Sequence, residues 1–496
     1  MAHHISLVAG LLLIGFAATP AAHSIRGIPD RHIFPAAALS RTRAAHRRML
    51  ASWRAPAPAA ADSPVVFPTT FGADPTGRAD STAAFAASVA ALLARNVSGH
   101  KMSDGIADLG GVVLDLQGGE YLLSAPLAIP QFVGNLRIID GTLRASPSFP
   151  ADRFVVEVGA MPCSTPSGQG SCNENVGMSG LTVDGSHVAA GCVSISATMG
   201  ATLDSSSAVF GFVSTGILLA GGHEAMVSET WVAAYFWSDP KKERNDAIGI
   251  KVAGNDHFVT NVIVFSARVG VEVTGAANLL TNVHTWNCAT GNGGVGILNT
   301  MSQNRFVGCY LDFTDLTVIG SGAQQLSVTD CFFLGDAQLV FSASAPNQTV
   351  YGVALSGNVW YDCGQPALAS NETKGTWTAV KDFSMTGTSF CGEEQAKTGF
   401  VSATRIASLP NIPNHGPGAK VFDFSSILLF PNVPIATATV FCQPYRNWPH
   451  DCTAAFKSID RLNVTVEYFG YTYVDPEETA YVTVDQSTYS SWSVQP

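Results

Sequence analysis

The fold is decided by a phrase that recurs through one stretch of the chain. It reads GILLA at 216–220, GIKVA at 249–253, GVEVT at 270–274, GILNT at 296–300, TVIGS at 317–321 and LVFSA at 339–343. Aligned on the first inward apolar residue, these place Ile217, Ile250, Val271, Ile297, Val318 and Val340 in one column, at spacings of 33, 21, 26, 21 and 22. A second phrase keeps step with the first. VTNV ends at Val262, LTNV at Val283, FVGC at Cys309 and VTDC at Cys331, at spacings of 21, 26 and 22.

Runs of three to five alternating residues cannot bury a face alone. Stacking solves this: like residues pile up inside, and each strand pairs with the strand one coil above and below, about 4.8 Å away. A period of this length, rich in β-branched residues with Gly and Asn between short runs, specifies a solenoid. The expected fold is all-β, a right-handed parallel β-helix with three strands per coil. A β-sandwich is the alternative, but its strands have no reason to share one side-chain register over so many units.

Composition agrees. Of the 496 residues, 46% are hydrophobic and only 13% charged, which suits a long β core with polar turns. The net charge of −11 argues against nucleic acid as a partner, and gives no long-range attraction for a polyanion. Residues 1–24 read as a signal peptide, with an apolar run from Ile5 to Ala18 followed by small residues, although no Lys or Arg precedes the run. That run is short for a bilayer and no later stretch is long enough, so no membrane association is expected and the reading is a secreted, extracellular protein. Four sequons, at Asn96, Asn347, Asn371 and Asn463, fit that compartment as glycosylation sites. So do ten cysteines, of which Cys163 with Cys172 and Cys442 with Cys452 are close enough to bridge local loops. Cys309 and Cys331 fall at one position on adjacent coils and read as a buried stack. No CxxC pair or HExxH is present, so a zinc site is not expected, and the reading calls for no metal and no cofactor.

Residues 25–64 form a basic leader and linker with Arg26, Arg31, Arg41, Arg43, Arg47, Arg48 and Arg54. The solenoid is expected over 65–419. It opens with FGADPTGRADSTAAFAASVAALL (71–93), in which Asp80 or Ser81 caps a helix that plugs the open end of the core. From 420 to 496 the alternating runs lengthen, as in LNVTVEYFGYTYV, and predict a small C-terminal β cap.

Several segments carry a family resemblance: the opening 71–93 with GGVVLDLQGGEYLLSAPLAIP (110–130), GGHEAMVSE (221–229), GNDHFVTNVIVFSARVGVEV (254–273), YLDFTD (310–315), FLGDAQLVF (333–341) and FDFSSILLFPN (422–432). The chain resembles plant polygalacturonases of the QUARTET type, within the pectate-lyase-like β-helix superfamily, over roughly residues 65–490. The resemblance implies a secreted glycoside hydrolase acting on pectic polysaccharide (homogalacturonan) in the cell wall, with a groove along the GIxI-type strand. The usual polygalacturonase signatures (Asn-Thr-Asp, Asp-Asp, Gly-His-Gly, Arg-Ile-Lys) are absent, so the catalytic set is argued from geometry.

Inverting glycoside hydrolysis needs a protonated carboxyl on the leaving oxygen and a carboxylate base some ~6.5–9.5 Å away. Carboxylates one or two coils apart on a β-helix fit. The candidates are Asp246, Glu272, Asp312, Asp315 and Asp336, with Lys251 and Arg268 as ligands for galacturonate carboxylates. Asp312 and Asp315 are close in sequence, so mutual repulsion is expected to raise one pKa. Arg268 is expected to align with Asp315, and Asp246 with Asp336. On the other edge of the strand, Glu224, His257, Asn278, Asn304 and Gln325 align as a turn ladder, with His223 and Asp256 beside it as possible substrate contacts. His284 aligns with Ile263, Tyr310 and Phe332 and reads as packing. Each candidate has a plain structural alternative: Lys251 with Glu272 as a surface ion pair, Asp312 and Asp315 as turn formers. A lyase performing β-elimination and a non-catalytic wall-binding protein remain open beside the hydrolase. A monomer is expected.

Overall fold

The computed structural model describes residues 64–95, 102, 105–165, 170–234, 246–286, 294–361, 367–390, 400–409, 417–443, 454–469 and 478–488. The segment read as a signal peptide, nearly all of the basic leader, Asn96 and Cys452 lie outside the described residues.

The chain winds into a parallel β-helix. Each complete coil has three strands, as in Ile248–Val252, Phe258–Thr260 and Ile263–Phe265. First strands stack on first strands in a ten-stranded sheet, from Leu127–Ile129 to Leu368–Asn371. Second and third strands form one continuous sheet folded at a bend. Ile217, Ile250, Val271 and Ile297 pair in a single column, and all are fully buried. Each such side chain contributes about 1.5–3 kcal/mol by leaving water.

The column then shifts. Val295 pairs with Asp315 and Ile297 with Leu316, so the later strand has one residue fewer across this interval. Val318 therefore faces Asn299 rather than Ile297, and Val340 pairs with Thr317 on the outer surface. The inward residues of the last coils are Leu316, Val318, Leu339 and Phe341. Both expected places are corrected. Val318 keeps an inward position but lies two residues along from Ile297, one of them due to the bulge. Val340 is one residue out against Val318 and so falls on the outer face, because a one-residue slip exchanges the two faces of a strand.

The bend between second and third strands has one conformation throughout. Glu229, Asn261, Asn282, Gly308, Asp330 and Gly357 occupy it in succeeding coils, all with φ between 49° and 65°. Asn tolerates this left-handed region better than most residues, and Gly is unstrained there. Asn282 Nδ2 donates to Asn261 Oδ1 at 3.1 Å, tying one bend to the next. Just inside the bend, Val262, Val283, Cys309 and Cys331 are buried, and the two thiols are free as expected.

Both ends of the core are covered. Helix Thr82–Leu93 buries Phe85, Val89 and Leu92, and Phe85 meets Tyr121 edge-on at 5.1 Å. Its first turn is held by Asp80 Oδ1, which accepts from the Thr82 amide, while Ser81 makes no side-chain cap. At the far end Phe430 packs on Phe341 and Trp377 with ring centroids 5.7 and 6.3 Å apart. Gln486 Nε2 donates to the carbonyls of Phe430 and Val433 at 2.7 and 2.6 Å. Beyond lies a pair of three-stranded antiparallel sheets with a core of their own, including Phe422, Phe424, Val464, Val466 and Val482. Their first strand is Ser402–Leu409, so antiparallel pairing begins before residue 420. Cys163 and Cys172 form a disulfide, and Cys442 is also disulfide-bonded.

Candidate active site

The outward side chains of the first strands make the floor of the candidate groove. Lys251 and Glu272 stand opposite each other on adjacent coils, with Nζ 2.9 Å from Oε2. Glu272 is the more buried partner, at 17% against 34% side-chain exposure. An anionic ligand reaching Lys251 must compete with Glu272.

The edge where the chain enters these strands holds Asp246, Arg268, Asp315 and Asp336. Arg268 Nε lies 3.7 Å from Asp246 Oδ1, and both side chains are largely in solvent. Asp315 opens the strand Asp315–Ile319 and accepts a 2.8 Å hydrogen bond from the Gln338 amide. Burial pushes its carboxyl up to about 6, and the negative charge of Asp336 adds to this against the Gln338 hydrogen bond. Asp336 itself is exposed. The pair thus sets a carboxyl that keeps its proton in mild acid beside one open to water, the division of labour that general acid–base chemistry needs. On the opposite edge, His223 Nδ1 and Asp256 Oδ2 are 3.4 Å apart. They sit where the first strand gives way to the turn.

No protein-family model matches the chain. Among curated proteins, polygalacturonase QRT3 of Arabidopsis thaliana is 32% identical over 383 residues, covering 76% of each chain. The chain belongs to that polygalacturonase family. Among solved structures, Geobacillus virus E2 ORF18 superposes with a TM-score of 0.48 at 12% identity, over 74% of this chain and 66% of that one. The Gp54 tailspike of Acinetobacter baumannii bacteriophage AP22, in complex with a capsular saccharide, gives 0.46 at 9%, over 75% and 67%.

In this polygalacturonase-family chain two expected juxtapositions are corrected. Asp312 does not raise the pKa of Asp315; burial and Asp336 do. Asp312 ends a third strand and faces outward on a different side of the solenoid, with Oδ2 3.4 Å from His284 Nε2. Arg268 and Asp315 are also out of line, since Asp315 falls in the column of Val295 and Val269. The offset is one residue and is present before the bulge, which falls between Asp315 and Leu316.

The turn ladder is present, one residue out of place at its ends. Ala225, His257, Asn278, Asn304 and Leu326 align, while Glu224 and Gln325 belong to the neighbouring left-handed column with Asp256, Ala277 and Gln303. His257 Nδ1 accepts from the Ala225 amide at 3.1 Å, Asn278 Oδ1 from His257 N at 2.9 Å, and Asn304 Oδ1 from Asn278 N at 2.8 Å. The first bond fixes the His257 proton on Nε2. Burial holds its pKa down at about 4, so the ring is neutral and structural.

Sequence reasoning missed the third-strand face. His284 does pack, but as part of a continuous run of rings. Trp231 lies 4.6 Å from Phe265, His284 stacks on Tyr310 at 4.4 Å, and Tyr310 meets Phe332 at 5.2 Å. Trp286 and Tyr361 extend the run, at 5.1 Å from Phe265 and 6.3 Å from Phe332. The signal was there to be read: an aromatic residue one or three places beyond each second-phrase apolar residue.

Proposed function

We propose that this chain is a secreted hydrolase of α-1,4-galacturonan in the cell wall, with its active site on the first-strand face. Asp315 is the general acid that protonates the leaving glycosidic oxygen. Asp336 is the carboxylate that draws a proton from the attacking water. Lys251 and Arg268 bind galacturonate carboxylates, Arg268 with two N–H groups available for a bidentate contact. Glu272 and Asp246 hold these two cations in place. His223 and Asp256 contact the chain at the far edge of the groove. The sequons at Asn347 and Asn371 lie on exposed residues and are proposed to carry glycans.

The observation that supports this reading is the half-buried Asp315 beside exposed Asp336, on the face that the resemblance designates, in a chain 32% identical to a polygalacturonase. A lyase using calcium and a basic residue calls for a carboxylate cluster to hold the ion. Among the described residues no group of three or more His, Cys, Asp or Glu side chains is so placed.

The test incubates purified protein with polygalacturonic acid, with and without chelator. New reducing ends without ultraviolet absorbance of an unsaturated product establish hydrolysis. Absorbance that disappears with chelator establishes β-elimination and overturns the reading. Retention of the polymer with no product reassigns the groove to binding alone.

A further inference from the structure

The third-strand face differs from the proposed groove in chemistry as well as place. Its outward positions on the six strands from Trp231–Ala233 to Val359–Tyr361 carry at least one ring each and no Lys or Arg. Its one ionisable pair, His284 with Asp312, is satisfied internally. Contacts between neighbouring rings, stacked or edge-on, account for the sides they turn toward one another. They do not account for the open ends of the run, where Trp231 and Tyr361 are 47% and 62% exposed. Large aromatic surfaces left in water at the two ends of a continuous ladder are a ready contact surface.

We infer that this face binds an uncharged, extended β-1,4-linked glucan chain lying along the solenoid axis. Three features select that ligand. The ladder repeats at the strand spacing of about 4.8 Å, close to the length of one hexose in an extended chain. Among the described residues the face offers no free cation, so a polyanion such as galacturonan gains nothing from them and is repelled by Asp312. A β-1,4-linked chain also bonds its rings equatorially, leaving flat C–H faces in one plane that can lie on Trp231, Phe332 and Tyr361. The α-1,4 linkage of galacturonan is axial at both ends and turns successive rings away from a common plane. The bound glucan would hold the protein to the wall while the groove on the first-strand face stays free. This assignment does not rest on the proposed hydrolysis.

The experiment is native gel electrophoresis of the full chain in gels holding hydroxyethylcellulose, methyl-esterified pectin or polygalacturonic acid, with cellohexaose titration followed by tryptophan fluorescence. Hydroxyethylcellulose is expected to retard the protein, and cellohexaose to change the fluorescence. Trp231→Ala and Tyr361→Ala should each weaken binding at least tenfold, and Trp231→Tyr should restore most of it. Circular dichroism checks that each variant is folded, and reducing-end release from polygalacturonic acid should stay within twofold of the parent. Absence of retardation by hydroxyethylcellulose, retardation by methyl-esterified pectin alone, or full binding by both alanine variants would overturn the inference.

Discussion

The first-strand and third-strand faces are built on the same coils by the same backbone, yet they carry opposite chemistry. The first holds ions that neutralise one another, Lys251 with Glu272 and Arg268 with Asp246, around a half-buried acid. The third holds rings. In a solenoid the inward positions are committed to the core, so each outward column is free to vary. Function is then a property of a column, and neighbouring columns can serve different ligands. The comparison between Asp312 and Asp315 is the sharpest form of this. They are three residues apart in the sequence and belong to different faces.

The largest expected effect would break or confirm that separation directly. Asp315→Asn should lower the rate of reducing-end release from polygalacturonic acid by about 10²–10⁴-fold, the usual worth of a positioned acid. Asp312→Asn should leave it within a few-fold. Equal losses in both would merge the two faces into one site.

A second measurement tests the burial that distinguishes Asp315. Its folded-state pKa of about 6 lies above the ordinary carboxyl value of 3.8, so the native state binds more protons than the unfolded state between them. The stability this gives is complete below pH ~4 and is lost as pH rises through about 6. At pH 7 ionisation of Asp315 costs about 3 kcal/mol relative to the neutral acid. Thermal melts should therefore show Asp315→Asn gaining on the parent between pH 4 and pH 7, and a flat difference would contradict the burial.

The smallest effect concerns the turn ladder that edges the groove. His257→Asn places the residue of the next two coils into the same column and should change stability by less than about 1 kcal/mol. His257→Leu strands the Ala225 amide in the core and should cost about 1–3 kcal/mol. Denaturant unfolding of both variants checks this, and a large loss in the Asn variant would show that the imidazole does more than continue the ladder.

The sequence carried the solenoid because repetition is self-checking: Val262, Val283, Cys309 and Cys331 keep one step through every insertion. It did not carry the shift at Val295, since Val318 and Val340 are as apolar as the residues they were aligned with, and composition does not show a bulge. Asp315 is one residue out of line with Arg268 before that bulge begins, an offset the repeated phrase does not show either. The charged candidates were found because charges are rare in this chain. The aromatic face was not, because a ring at His284, Tyr310 or Phe332 satisfies a core pattern as well as a surface one, and only the register says which way it points. Glu224 and Gln325 were misplaced for a related reason. A left-handed residue precedes each ladder position, and polar side chains suit both.

Phe430 and Gln486, which cover the last coil, stand where the stacking of coils stops. A parallel solenoid has no intrinsic stopping point, because its terminal rung offers the same hydrogen-bonding row that every internal rung uses. Were that row bare, a second chain could dock on it as the next coil docks within one chain, and the product would be a growing fibre. Strand Ser487–Thr488 takes up part of that row by pairing with Trp377–Lys381, so the chain's own closing segment stands where part of a further coil would dock.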